Sequence, residues 1–143
     1  MKKQQDYRED IEKFQTFVFE MDDVLEAFVA QAIDQGVNLD YSVESLDHLE
    51  RYLDQKSNEK EGSGILNRAA RYLGEVFRRK FGGGWDLSLD DPKNINFRLP
   101  IIAKYSDLDI EFCPIEIVSN YIVRRKPGLL RTAVLADEPF VRK

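Results

Sequence analysis

Apolar side chains recur at alternating steps of three and four along the first part of the chain: Ile11, Phe14, Val18, Met21, Leu25, Phe28 and Ala32. That period predicts one amphipathic helix over residues 7–35. Phe17, Val24, Val29 and Ile33 widen its apolar stripe to about half the circumference, which suits a globular core better than a two-stranded coiled-coil seam. The other face carries Glu9, Asp10, Glu12, Glu20, Asp22, Asp23 and Glu26. A helix of that length spans roughly 43 Å, whereas a compact chain of this size has a radius of gyration of about 14–15 Å. The helix is therefore expected to overhang the body, bend or break, with Gly36 as its C-terminal stop.

A second helix is predicted from an N-cap at Ser42 to about residue 55. Glu44 lies in its first turn, and Tyr41 and Leu46 hold the two positions of a hydrophobic staple. Its apolar face is Leu46, Leu49, Tyr52 and Leu53. Residues 56–64 are polar and contain glycine, and are expected to be the most mobile internal segment. A third helix over residues 65–81 places Leu66, Ala69, Ala70, Leu73, Val76 and Phe77 inward. Ala70 and Gly74 form a small-residue notch on it. Gly inside a helix costs about 1 kcal/mol relative to Ala, so a strand or another helix is expected to approach closely there.

After Gly82-Gly83-Gly84 the period changes from helical to alternating. Strands are predicted over residues 85–89, 95–105 and 110–113, joined by turns at 90–94 and 106–109, with Pro100 marking a bulge or an edge. Pro114 suits the first position of a helix over residues 114–125, which Pro127-Gly128 ends. Residues 129–143 are expected to form a short helix and then fray. The pattern as a whole is α+β: a long N-terminal helix, two further helices, a small antiparallel β-meander and a C-terminal helix. One domain covers 1–143, divided into an acidic helix (1–36), an α+β body (37–126) and a tail (127–143).

Composition narrows the function classes. A chain of 143 residues with 43% hydrophobic and 33% charged side chains can bury a sizeable core without a metal or disulfide staple. The single cysteine excludes an internal disulfide, no signal-type apolar run follows the polar N-terminus, and no stretch approaches a membrane span. A cytoplasmic protein with no membrane association is expected. The net charge of −5 is uneven: residues 1–61 hold 16 acidic and 7 basic side chains, a balance of −9, and the remainder hold 10 and 14, a balance of +4. An acidic chain is a poor nucleic-acid binder and a better match for a basic protein.

Candidate chemistry is sparse. Arg78-Arg79-Lys80 and Arg124-Arg125-Lys126 both end predicted helices, where cations complement the negative helix terminus. Gly82-Gly83-Gly84 closes a helix and opens a strand, the reverse of a phosphate-binding loop. Cys113 beside Pro114 and the lone His48 fall on different elements and read as a buried strand-end thiol and a solvated helix position. One His and one Cys make no zinc site, and Asp22-Asp23 and Asp90-Asp91 lack calcium-loop spacing, so no catalytic residue, metal or cofactor is assigned. Glu75 lies four residues from both Arg71 and Arg79 and is explained by helical ion pairs. An alternative reading makes it a buried carboxylate that binds Arg98 or Arg124.

The run Tyr72-Leu73-Gly74-Glu75-Val76, then Gly82-Gly83 and Trp85, then Phe112-x-Pro114 with Arg124-Arg125 behind it, resembles a family of small uncharacterised bacterial proteins. The resemblance covers about residues 38–126. It speaks to fold more than to activity. Some similar proteins belong to the neighbourhoods of secreted-toxin and immunity genes, so it implies an immunity-protein-like role and carries over no catalytic residue.

Two functional readings follow. The first is a non-catalytic interaction domain, in its specific form an immunity protein that binds and neutralises a basic toxin, with Glu20, Asp22, Asp23 and Glu26 as the contact face. The alternative is a small ligand-binding domain or enzyme with a pocket between the sheet and the third helix, near Glu75, Trp85 and Arg98. Self-association is an open question between a monomer and a homodimer through the first helix.

Overall fold

A computed structural model describes residues 2–56 and 63–143. Among the described residues it is an α+β fold of six α-helices and a two-stranded antiparallel sheet: α1 (Lys2–Phe19), α2 (Met21–Asp34), α3 (Ser45–Lys56), α4 (Ser63–Phe81), β1 (Gly84–Leu87), β2 (Pro100–Ala103), α5 (Pro114–Arg124) and α6 (Leu129–Ala136), with a 3-10 turn at Glu138–Phe140. Most of the segment expected to be mobile, residues 57–62, lies outside the described residues.

The single long helix expected over residues 7–35 is two helices that meet at Glu20. No Gly or Pro causes the break. The Glu20 N–H still reaches the Thr16 carbonyl (3.0 Å), and the Val24 N–H reaches the Glu20 carbonyl (3.0 Å). The Phe17 carbonyl, which a continuous helix would give to the Met21 N–H, accepts instead from Arg71 Nη1 of α4 at 2.7 Å. A side chain entering the i→i−4 ladder is a recognised cause of a helix break. The break lets both helices lie on the body. α1 touches β1, α2 touches α4, and Met21, Leu25, Phe28 and Ala32 are buried. Gly36 stops α2 as expected. It takes a φ of +82°, and the Gly36 and Val37 N–H groups bond Ile33 O (2.9 Å) and Ala32 O (2.8 Å), a Schellman close.

Ser42 caps α3 from a turn rather than from its first residue, its Oγ accepting the Ser45 N–H at 3.1 Å. α4 is the hub and packs on α2, α3, α5 and β2. Its inward residues Ala69, Ala70, Leu73, Val76 and Phe77 are all buried. The Phe77 ring stacks on Phe112 (4.0 Å between centroids) and meets Tyr105 edge-on (4.7 Å). Phe28 likewise meets Tyr52 at 5.7 Å.

The meander is smaller than its pattern. Trp85 pairs with Ile102 in the β1–β2 ladder, and Ile102 and Phe112 form one further antiparallel bridge, so the third strand contributes a single pair. Residues 95–99 turn rather than extend. Arg98 takes a φ of +71°, and the Ser88 N–H and Arg98 N–H close the loop on Leu99 O (3.1 Å) and Ser88 O (2.7 Å). The Glu111 carboxylate pins that loop by accepting from Ser88 Oγ (2.9 Å), Asn94 Nδ2 (3.0 Å) and Asn96 Nδ2 (3.1 Å). These contacts occupy the polar groups of the Asn-rich stretch in a turn, so no ladder forms there. Gly83 has a φ of +86°, and a Cβ on it would lie 2.7 Å from the Ala103 carbonyl, so glycine is required where α4 meets the sheet.

The tail does not fray. The Arg142 N–H bonds Tyr105 O (2.8 Å), its guanidinium bonds Asp107 (2.8 Å), and Val141 bridges Ser106. Among the described residues, no helix is long and apolar enough to cross a membrane.

Candidate functional sites

The acidic face is built by the turn that joins α1 to α2. Glu20, Asp22, Asp23 and Glu26 are all exposed, and none takes part in an ion pair among the described residues. Phe19, the residue before them, is 87% exposed, and Val18 and Ile33 are exposed on the same helix pair. The sequence pattern makes the origin plain. The apolar stripe continues through Met21, Leu25 and Phe28, so the carboxylates must face outward.

Glu75 and Trp85 are brought together, and Arg98 is not with them. Trp85 Nε1 donates to Glu75 Oε2 at 2.7 Å, and Arg78 Nη1 donates to the same oxygen at 2.8 Å. The Glu75 side chain is 14% exposed, and its ion-pair partner is Arg78 rather than Arg71 or Arg79. Arg98 pairs with Asp10 on α1 (3.3 Å) and lies over the rings of Tyr7 and Phe97. The Trp85 ring is edge-on to Phe17 at 5.1 Å. Arg79 stacks on Tyr41 at 3.7 Å, and Arg124 is exposed at the end of α5.

Two cavities lie along α4 where α1 and α2 cross it. The larger, about 830 Å³, runs between α2 and α4 and is lined by Glu20, Phe28, Gln31, Tyr52, Arg68 and Arg71, among others. The smaller, about 310 Å³, continues past the break beside Phe17, Leu87 and Arg98. Glu20, Asn67 and Arg71 border both. Neither is lined by Glu75 or Trp85.

Arg71 is 4% exposed. Its Nε donates to Asn67 Oδ1 (2.8 Å), and its guanidinium lies 4.1 Å from the Phe17 ring centroid. Burial lowers its pKa from the ordinary guanidinium value, and the charge of Glu20 opposes the shift. Pattern reading passed over Arg71 because it sits at the margin of the apolar stripe of α4.

Cys113 is buried at the N-cap of α5, and burial pushes its thiol up to about 11. His48 is held through Nδ1 by the Asn38 carbonyl (2.8 Å), away from Cys113 in sequence and on α3. Among the described residues, no group of three His, Cys, Asp or Glu side chains is placed to hold a metal ion.

Glu50 was also passed over. It is 5% exposed, and its two oxygens accept the Gly128 N–H (2.9 Å) and the Leu130 N–H (3.0 Å), so α3 caps α6. Its signal was present: Leu46, Leu49, Glu50 and Leu53 share one helical face. A carboxylate on an apolar stripe needs donors, and the free N–H groups of a helix start supply them.

Compared with known proteins, the chain matches no family model, and no curated protein or solved structure matches it.

Proposed function

We propose that this chain is a non-catalytic protein-binding domain that engages a basic partner through the outer face of the α1–α2 break. In its specific form the reading is an immunity protein that neutralises a basic toxin. The observation that carries it is the unpaired set Glu20, Asp22, Asp23 and Glu26 beside the exposed Phe19. Carboxylates held in solvent outside ion pairs keep most of their field, which steers a basic partner and speeds encounter. An aromatic ring standing in solvent next to them supplies the apolar anchor that charges alone lack, since interface energy concentrates in a few aromatic and Arg anchors. On α1, Asp10 is tied to Arg98 and Glu9 to Lys13, so both add less to this face.

The test is a paired capture from host lysate with two baits. One is the wild-type chain, and the other carries Glu20→Lys, Asp22→Lys, Asp23→Lys and Glu26→Lys. A stoichiometric basic protein held by the first bait and lost from the second supports the reading. A protein held equally by both removes this face from it.

A further inference from the structure

We propose that the groove between α2 and α4 is a binding site for a small organic anion bearing a phosphate or carboxylate group, held by Arg68 and Arg71. This site adjoins the acidic face, with Glu20 at the rim of both, and its ligand has the opposite charge to the partner proposed there.

The two arginines lie one helical turn apart on α4, and both line the cavity of about 830 Å³. Among the described residues, neither forms an ion pair with a carboxylate. Arg71 is buried, and its guanidinium contacts an amide oxygen, a backbone carbonyl, a thioether and the face of Phe17, with the Glu20 charge nearby but outside ion-pair distance. Arg68 Nε is buried with no hydrogen-bond partner among the described residues. Buried charges in proteins are ordinarily paired, and two like charges at this spacing on a helix repel. An anion between them would relieve both penalties.

The rest of the lining agrees. Among the described residues that line the groove, Glu20 is the one carboxylate, in a protein whose net charge is −5. The first turn of α4, at Gly64, forms one wall, and the positive end of a helix favours an anion there. Gln31 and Asn67 offer amide groups for orientation, and Phe28 and Tyr52 form an apolar floor. A concave apolar site with a few convergent polar groups, of several hundred Å³, is the usual form of a small-ligand site. Guanidinium pairs favour phosphate and carboxylate over other anions because their N–H forks bind two oxygens at once.

The experiment is a titration of the full chain, at low ionic strength, with pyrophosphate in one arm and citrate in the other. It is followed by the side-chain Nε–Hε signals of the arginines in NMR spectra. The expected result is a saturable shift in the millimolar range or tighter, confined to Arg68 and Arg71, with the tighter arm identifying the anion class. Arg68→Gln should weaken that binding about tenfold or more, and Arg68→Lys by less, because lysine keeps the charge and loses the fork. Arg124→Gln should leave it unchanged. Arg68 is chosen over Arg71 because it makes no bond to α1, and an unchanged melting temperature for the variant verifies that the fold is intact. Shifts of equal size at Arg78, Arg79 and Arg124, no saturation with either anion, or undiminished binding in Arg68→Gln would overturn the proposal.

Discussion

The Trp85 indole occupies the space that a side chain on Gly74 would need. A Cβ built at Gly74 would lie 2.3 Å from both Cη2 and Cζ2 of the ring, and 3.2 Å from Cγ of Pro114. The ring is fixed at its other end by the bond from Nε1 to Glu75. Helix α4, strand β1 and the start of α5 therefore meet at one point that only a hydrogen atom can fill.

Gly74→Ala should destabilise the fold. Helix propensity favours Ala by about 1 kcal/mol, but overpacking a fixed ring costs about 1–3 kcal/mol or more. A lowered urea midpoint with an unchanged slope is expected. A raised midpoint would show that the ring can move aside.

Glu50→Ala should cost about 1–3 kcal/mol, because it strands the Gly128 and Leu130 N–H groups at the start of α6. Amide exchange at Leu130 should accelerate before exchange in the α4 core. Equal acceleration everywhere would mean that Glu50 supports the whole fold rather than this helix start.

Alkaline stability should be set by buried phenols. Burial pushes Tyr72 up to about 12 from its ordinary value of 10.0, and also raises Tyr105 and Tyr121. The fold thus favours the neutral phenol. That contribution is fully present below pH 10 and is lost as pH rises through about 12. Tyrosinate absorbance of these residues should rise together with loss of helical circular dichroism. Complete ionisation near pH 10 with the helices intact would contradict this.

Cys113 should resist thiol reagents in the native protein at neutral pH and react fully in denaturant, because burial favours its neutral form and limits access. Fast native reaction would reopen a nucleophilic role.

The sequence reading succeeded where a local rule governs the outcome. Gly36, Pro114 and the Ala70–Gly74 notch each obey backbone or steric constraints that their neighbours in sequence make visible. It failed where a distant side chain decides. The length of the first helix already called for an overhang, a bend or a break, but nothing near Glu20 announces its place, because the cause, Arg71, lies some fifty residues away and takes the Phe17 carbonyl. The shortened second strand has the same origin. Alternation over residues 95–99 is overruled by the bonds that Asn94 and Asn96 make to Glu111. The exposed carboxylates of α2 were legible from periodicity. The arginine groove was not, since Arg71 enters the pattern only as a helical neighbour of Glu75, and it is α2 folding over α4 that makes a groove beside Arg68 and Arg71.

The central claim is that the acidic face steers a basic protein partner, and association kinetics test it most directly. The rate constant for the captured partner should be measured against ionic strength, for the wild-type chain and for the variant with Glu20, Asp22, Asp23 and Glu26 reversed to Lys. At low salt the variant should associate at least about tenfold more slowly, with a flattened salt dependence. Equal rates and equal salt slopes for the two chains would contradict the account.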